Sequence, residues 1–594
     1  MILEELKNHF ESVVGFDFEF TQDINNKGET PTPRCVVYKD FKSQKVFKLV
    51  GNDMRKIPFN PKKTLFVCYN AVAEASCLLA LGIKLPKYWW DCYVENKKLY
   101  QGRIAAGKGA FGLVRTAKRY GLECISEDLK KWNIEQILSN NPDYTEQQLL
   151  DYCTQDVLNL EEVFYAQLKD IETTFRNKGP IEVIQHALFH GRSMAAVGQV
   201  EFNGIPIDEK LFSEITTNFP AVKEKMIAEI NERIDVYENG SFSNRKFQSL
   251  VSRLGLIDIW PRTPSGQLAT TEKVIYNYAQ QYDEINDLYF CKEFVDSQKL
   301  KGFIVGPDNR ARCSLNMFGT KTGRTNQSTA RYPFNTAKPM RNIIRPDENC
   351  AFIYADYKAQ EVAIAAYLSQ DNGLIAAYEY GDPYIYIAKL AKAVPDDATK
   401  DSHPKIRDQY KRTLLANFYG QGVKSLAAQL NIPIDAAVEL DVKVKKLFPT
   451  YFEFINGVVN KAMIRGYMTT KFGWRLWVGT AEKINPRSMG NFPIQAHGSE
   501  MLRHALLALL DKDFEVNALV HDGILVHVPL RNLQDAKTRV QKTMQDASRI
   551  VLGGKVCNVD LKEIINNFEQ EEEEQLKFNR IIKIIKQTEI SAAG

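Results

Sequence analysis

A chain of 594 residues far exceeds the ~250–300 at which one hydrophobic core stops growing, so three or four units are expected. Its 44% hydrophobic, 25% charged and 11% aromatic residues exclude wholesale disorder, and a net charge of +4 confines any basic cleft to a local surface. Ten cysteines without CxxC or Cys/His spacing indicate neither zinc nor a disulfide framework, "MILEELKNHF" is too charged for a signal peptide, and no run reaches the ~18 apolar residues of a membrane span. A soluble, cytoplasmic protein is expected.

Residues 1–178 mix strand-like runs ("SVVGFDFEF", "TLFVCYN") with helical ones ("AEASCLLALG", "EQQLLDYCTQDVLNLEEVFYAQLKDIETTF"), which predicts an α/β domain. In "GFDFEF", Asp17 and Glu19 are two apart on a strand and project from one face. Two such acids repel unless a cation lies between them. Asn70 and Glu74 stand at i,i+4 at a helix start, and Tyr152 and Asp156 repeat that spacing. Each fragment alone reads better as surface acids; their order in one α/β unit points to oxygen ligands for hard divalent ions. Two ions about 4 Å apart stabilise the attacking and leaving oxygens of a phosphodiester.

The set resembles the DEDDy 3′-5′ exonuclease domain of proofreading DNA polymerases, with "DFE", "NAVAE" and "YCTQD" for its three motifs. The resemblance implies a ribonuclease H-like fold, with Asp17, Glu19 and Asp156 as metal ligands. It makes Glu74 and Tyr152 further catalytic residues and puts Asn70 at the DNA. Glu74 stands where Asp is usual and is one methylene longer.

"RNKGP" marks a boundary, and residues 179–310 read as helical with a break at "WPRTPSGQLATTEK". A second α/β region from 311 is interrupted by a helical block, 372–480. In "CAFIYADYKAQE" a buried strand delivers Asp356 to its carboxyl end, where ligands collect in α/β architecture. In "KIRDQYKRTLLANFYGQG", Arg407, Lys411, Leu415 and Tyr419 recur every four residues and form a stripe along one helix. Two cations, an apolar residue and a ring suit a triphosphate followed by a base. Arg487, Asn491 and Gln495 repeat the spacing. "ALVHDGILVHV" reads as a hairpin turning at Asp-Gly, with Asp522 at its tip. The tail 569–594 turns from acidic to basic-amphipathic and is expected to be a solvated helix.

Together these stretches resemble family A DNA polymerases of bacteriophage type, similar to the large proofreading fragment of bacterial DNA polymerase I. "DYKAQE" stands for motif A, "RDQYKRTLLANFYG" for motif B, "VHDGIL" for motif C and "GTKTGRTNQ" for the primer-template motif. The resemblance implies a right hand: thumb 179–310, palm 311–371 and 481–568, fingers 372–480. It makes Asp356 and Asp522, with the Tyr357 backbone carbonyl, ligands of two Mg²⁺ ions, with Mn²⁺ as an alternative. Lys411 becomes the acid for the leaving pyrophosphate, Arg407 a phosphate clamp, Tyr419 the stacking gate and Glu361 the block to a 2′-hydroxyl. Tyr357 and Leu415 also lie at the nucleotide, while Arg324, Arg487, Asn491, Gln495 and His521 contact primer-template DNA.

Two departures stand out: Gly523 follows Asp522 where an acid is common, so two carboxylates alone are expected, and Leu415 replaces an aromatic residue. The chain opens at the exonuclease segment, so no 5′-nuclease is expected. Implied partners are primer-template DNA, dNTPs, helicase or primase and single-strand-binding protein, for a monomer working in host bacterial cytoplasm with no membrane. A single-subunit RNA polymerase is disfavoured by the exonuclease set and Glu361. A nuclease alone would shorten primers and never extend them.

Overall fold

The computed structural model describes the chain except residues 23–29, 105, 106, 108, 264, 280, 297–303, 328–330, 480–484, 569–571 and 594. It divides into two compact units: Met1–Gly204 with Cys313–Gln327 and Phe352–Glu563, and Ile205–Arg312 with Ser328–Ala351 and Ile564–Gly594.

The first unit begins with strands β1 (Ser12–Gln22), β2 (Pro31–Asp40), β3 (Val46–Val50), β4 (Thr64–Cys68) and β5 (Trp89–Asp91), ordered β3-β2-β1-β4-β5. The first three pair antiparallel, whereas β1–β4 and β4–β5 are parallel. Alternation in β1 buries Val14, Phe16 and Phe18, with Phe16 stacked on Tyr38 and edge-on to Phe66. Around the sheet lie α1 (Ala71–Ala80), α2 (Cys92–Tyr100), α3 (Glu127–Leu138), α4 (Glu146–Thr174) and α5 (Pro180–Asn203). A Thr145/Gln148 capping box starts α4. The unit boundary falls at Gly204, so α5 packs with this sheet rather than opening the helical segment expected from 179. Its glycines explain the close fit: a Cβ on Gly191 would lie 2.3 Å from the Trp89 carbonyl oxygen, and one on Gly198 2.6 Å from that of Val72.

The same unit holds a four-stranded sheet of β6 (Cys350–Tyr357), β9 (Glu515–Val520), β10 (Gly523–Pro529) and β11 (Val559–Ile564), ordered β9-β10-β6-β11. Between β6 and β9 in the chain come helices α6 (Gln360–Ser369), α7 (Pro383–Leu390) and α8 (Pro404–Phe418), the hairpin β7 (Tyr467–Thr469)–β8 (Arg475–Trp477), and α9 (Pro486–Leu510). Helix α10 (Leu533–Val551) follows β10.

The second unit is mainly helical, with helices Glu209–Ile234, Asn244–Arg253, Glu272–Ala279 and Asp283–Asp296. The tail helix Glu572–Ala593 is not fully solvated as expected. Phe578, Ile581, Ile584 and Ile585 are buried, and it packs on Glu209–Ile234 with Arg580 2.7 Å from Glu229. Its amphipathic spacing gave it a face to bury, and this unit provides the partner.

Candidate active sites

In the N-terminal sheet, β1 sets Asp17 and Glu19 opposite Val37 and Cys35 of β2, and the buried face of α4 brings Tyr152 and Asp156 to the same place. One carboxylate oxygen from each of Asp17, Glu19 and Asp156 lies within 4.8 Å of the others. Burial, then repulsion from neighbouring carboxylates, holds Asp17 and Glu19 well above the usual carboxylate range. Burial, then the Asp156 charge, raises the Tyr152 hydroxyl, and the buried Asp156 Oδ1 has no hydrogen-bond partner among the described residues. Lys130 of α3 donates to Asp156 Oδ2 at 2.7 Å, a contact for which the sequence carried no signal because "KK" reads as a solvated face.

Glu74 lies outside the three acids whose oxygens fall within 4.8 Å of one another, but it is buried near them: burial, then the Asp17 charge, raises it well above the usual carboxylate range, and Glu19 adds to this. The β1–β4 pairing ends at Gly15, and the Glu74 carboxylate accepts the Phe18 N–H at 3.0 Å, taking the role of a missing strand neighbour. Asn70 is exposed in the left-handed region (φ 83°), held by donation of its N–H to Asp91 Oδ1 at 3.1 Å.

In the second sheet, β6 ends with Asp356 beside the β9–β10 hairpin. Val520 pairs with Gly523, so the two loop residues are His521 and Asp522, one position earlier than the Asp-Gly turn expected. His521 takes the positive φ (56°). A Cβ on Gly523 would lie 2.7 Å from the Tyr354 hydroxyl and 3.0 Å from Asp356 Oδ1, so Gly523 serves space rather than the turn. Asp356 and Asp522 act on one another: burial, then the Asp522 charge, raises Asp356, and burial raises Asp522. Asp356 Oδ1 is buried with no hydrogen-bond partner among the described residues. The charge of Asp560, on the neighbouring strand β11, adds a smaller upward push on Asp356. The Tyr357 hydroxyl donates to the Met544 carbonyl at 2.8 Å inside the core, so its side chain is not at the site and only its backbone remains there.

The stripe on α8 forms as its spacing predicted. Arg407 Nε donates to Asp382 Oδ2 at 2.6 Å, and the Arg407 and Lys411 cations lie 5.3 and 5.9 Å from the Tyr384 ring centre. Leu415 is half-buried, and the Tyr419 hydroxyl donates to Glu361 Oε1, which also lies 3.4 Å from an Arg324 terminal nitrogen. Asn491 Nδ2 lies 3.4 Å from the Tyr419 carbonyl, Thr322 donates to Gln495 at 3.5 Å, and exposed Arg487 lies against Gly420. The loop carrying Arg324 is fixed by three donors: Lys97 to the Phe318 carbonyl (3.0 Å), Trp474 to that of Lys321 (3.0 Å) and Arg503 to that of Gly323 (2.7 Å). Sequence reasoning missed Asp382, Tyr384 and Lys97, whose partners are set only by the fold.

Both clusters fit hard divalent cations. The donors are all oxygen, each cluster leaves a buried carboxylate oxygen unpartnered, and the raised protonation tendency is what a missing positive charge produces.

Residues 209–564 match the family described as DNA polymerase family A. DNA polymerase I of Aquifex aeolicus (strain VF5) is 25% identical over 453 residues, covering 70% of this chain and 75% of that protein. DNA polymerase I of Chloroflexus aurantiacus is 25% identical over 383 residues, covering 59% of this chain and 40% of that protein. The thermostable DNA polymerase I of Thermus thermophilus is 21% identical over 374 residues, and the chain spans 44% of its length. Among solved structures, the POL domain of Pol1 from M. smegmatis, in complex with DNA primer-template and dNTP, superposes with a TM-score of 0.72 at 16% identity. That match covers 95% of this chain and 97% of that one, and is a likeness of fold.

Proposed function

The chain belongs to DNA polymerase family A, whose members use divalent metals, and on that premise we propose that it extends a primer on a DNA template and proofreads it with a 3′-5′ exonuclease. The observation that carries the polymerase reading is the partly buried Asp356–Asp522 pair at the ends of adjoining strands, in which Asp356 Oδ1 has no hydrogen-bond partner among the described residues and burial and the Asp522 charge raise Asp356 well above the usual carboxylate range. The exonuclease reading rests on the Asp17, Glu19 and Asp156 cluster with Tyr152, and on the β3-β2-β1-β4-β5 order, which suits a ribonuclease H-like domain at 1–178.

Held by Asp356 and Asp522 with the Tyr357 carbonyl, and by Asp17, Glu19 and Asp156, pairs of Mg²⁺ (or Mn²⁺) ions would supply an activated oxygen nucleophile and charge neutralisation at the leaving group. The chain's own residues do the rest. Arg407 and Lys411 neutralise the triphosphate, and Lys411, with no ion-pair partner among the described residues, gives its proton to departing pyrophosphate. Tyr419 stacks at the base position while its hydroxyl holds Glu361 where a ribose 2′-hydroxyl would collide. Arg324, Arg487, Asn491, Gln495 and His521 meet primer-template DNA, and Leu415 lines the nucleotide site. At the exonuclease, Tyr152 orients water and Lys130 neutralises charge at Asp156. Asn70 touches the frayed strand, and Glu74, buried near Asp17, anchors β1 and adds its charge to the acidic set.

The palm (311–371, 481–568), fingers (372–480) and thumb (179–310, less the α5 segment up to Gly204 that packs with the first unit) serve a monomeric phage replicase working in host cytoplasm with helicase, primase and single-strand-binding protein. The test is a 5′-labelled primer-template with Mg²⁺, with and without dNTPs, resolved on a sequencing gel. Extension with dNTPs and shortening without them are expected; shortening alone would leave a nuclease.

A further inference from the structure

We propose that Asp382 is a positioning residue for the nucleotide triphosphate, acting by fixing the plane of the Arg407 guanidinium. The inference rests on the nucleotide-site reading of α8 and deepens it.

Asp382 divides its carboxylate between two tasks. Oδ1 caps α7, accepting the Tyr384 N–H at 3.1 Å and the Ile385 N–H at 3.2 Å. Oδ2 is left for Arg407 Nε at 2.6 Å. Because a guanidinium is planar and rigid, one charge-assisted bond at Nε sets its orientation and leaves the two terminal nitrogens as a fork. Among the described residues neither of those nitrogens has a hydrogen-bond or ion-pair partner. Tyr384, in the first turn of the helix that Asp382 caps, offers its ring to Arg407 from a second side. The same ring carries Lys411, and the Glu361 and Asp522 charges both act on its hydroxyl. One capped helix turn thus holds both cations on one ring. A fork fixed at its base and free at its tips suits a polyphosphate, whose oxygens are matched two at a time.

The substitution D382N tests this cleanly, because Asn caps a helix as well as Asp but cannot accept from Nε with a charge. D382S, also a competent cap, is the second variant. In primer extension by the full chain, D382N is expected to raise the dNTP KM about tenfold, the usual worth of a hydrogen bond to a charged group, with kcat changed less than about threefold. Inhibition by inorganic tripolyphosphate should weaken by a similar factor, a readout that a loosened helix alone would not move in step. Combining D382N with Arg407→Ala should give no more than Arg407→Ala alone. Unchanged KM and tripolyphosphate inhibition in both D382N and D382S, or effects of D382N and Arg407→Ala that multiply, would overturn the role of Asp382. If Arg407→Ala itself left both quantities unchanged, the nucleotide-site reading would fall as well.

Discussion

The Tyr419 hydroxyl and the Glu361 carboxylate are hydrogen-bonded across the junction of α8 and α6, and Arg324 approaches the same Glu361 oxygen at 3.4 Å. A carboxylate held from two sides is a rigid wall. Glu361→Ala removes it, and ribonucleotide incorporation relative to deoxynucleotide is expected to rise on the order of 10–100-fold in single-nucleotide extension. Unaltered discrimination would strip Glu361 of the gate role.

The two carboxylate clusters stand on different sheets, so their activities should separate. Asp356→Ala or Asp522→Ala is expected to cut extension about 10³-fold and leave primer shortening intact, while Asp17→Ala with Glu19→Ala does the reverse. Gel assays on variants with native circular dichroism decide it. Either variant losing both activities would mean one shared site.

Glu74 sits outside the oxygen cluster and accepts the Phe18 N–H. Glu74→Gln keeps that acceptor and should shorten primers within about threefold of the parent rate. Glu74→Ala leaves a buried N–H unpaired and should lower stability by about 1–3 kcal/mol in urea titration. A loss with Gln as deep as with an Asp17 variant would return Glu74 to the catalytic set.

Gly523 leaves room for Tyr354, so Gly523→Ala forces the Tyr354 hydroxyl or Asp356 to shift. Extension should fall about tenfold, given the sensitivity of catalysis to small displacements. Full activity in Gly523→Ala alone would show that this space is not limiting.

Buried Glu95 and His190 are 2.9 Å apart, with Lys98 beside Glu95. Burial outweighs the Glu95 charge and holds His190 down at about 4, while Arg503 and Lys98 also disfavour its cation. Glu95 is held at about 2: burial opposes its charge, but Lys98 and His190 prevail. The unfolded imidazole takes up a proton below about pH 6.5 and the folded one does not until about 4. Stability is therefore complete above 6.5 and falls as pH drops through that window, by up to about 1.4 kcal/mol per unit. The Glu95 contribution is lost lower, below its unfolded value of 4.5 towards 2. Urea midpoints between pH 7.5 and 4.5 should show a shallower slope in His190→Gln, and equal slopes would remove His190 from the balance.

What the sequence determined by itself is what local periodicity carries. The two-residue repeat put Asp17 and Glu19 on one face of β1, and the four-residue repeat lined up Arg407, Lys411 and Leu415 on α8, with Tyr419 at its C-terminal cap. Alternating apolar residues around His521-Asp522 produced a hairpin, although pairing of Val520 with Gly523 moved the turn by one residue. These features depend on backbone geometry within a few residues, which composition and spacing encode directly. Tertiary structure alone decided the rest. It drew Glu74 onto Phe18, turned the Tyr357 side chain into the core and set Lys130 against Asp156. It also placed Asp560 near Asp356 and paired Asp382 with Arg407. In each case the deciding partner lies on another element, and a side chain's charge or hydrogen-bonding group does not by itself specify which distant group packing will bring to it.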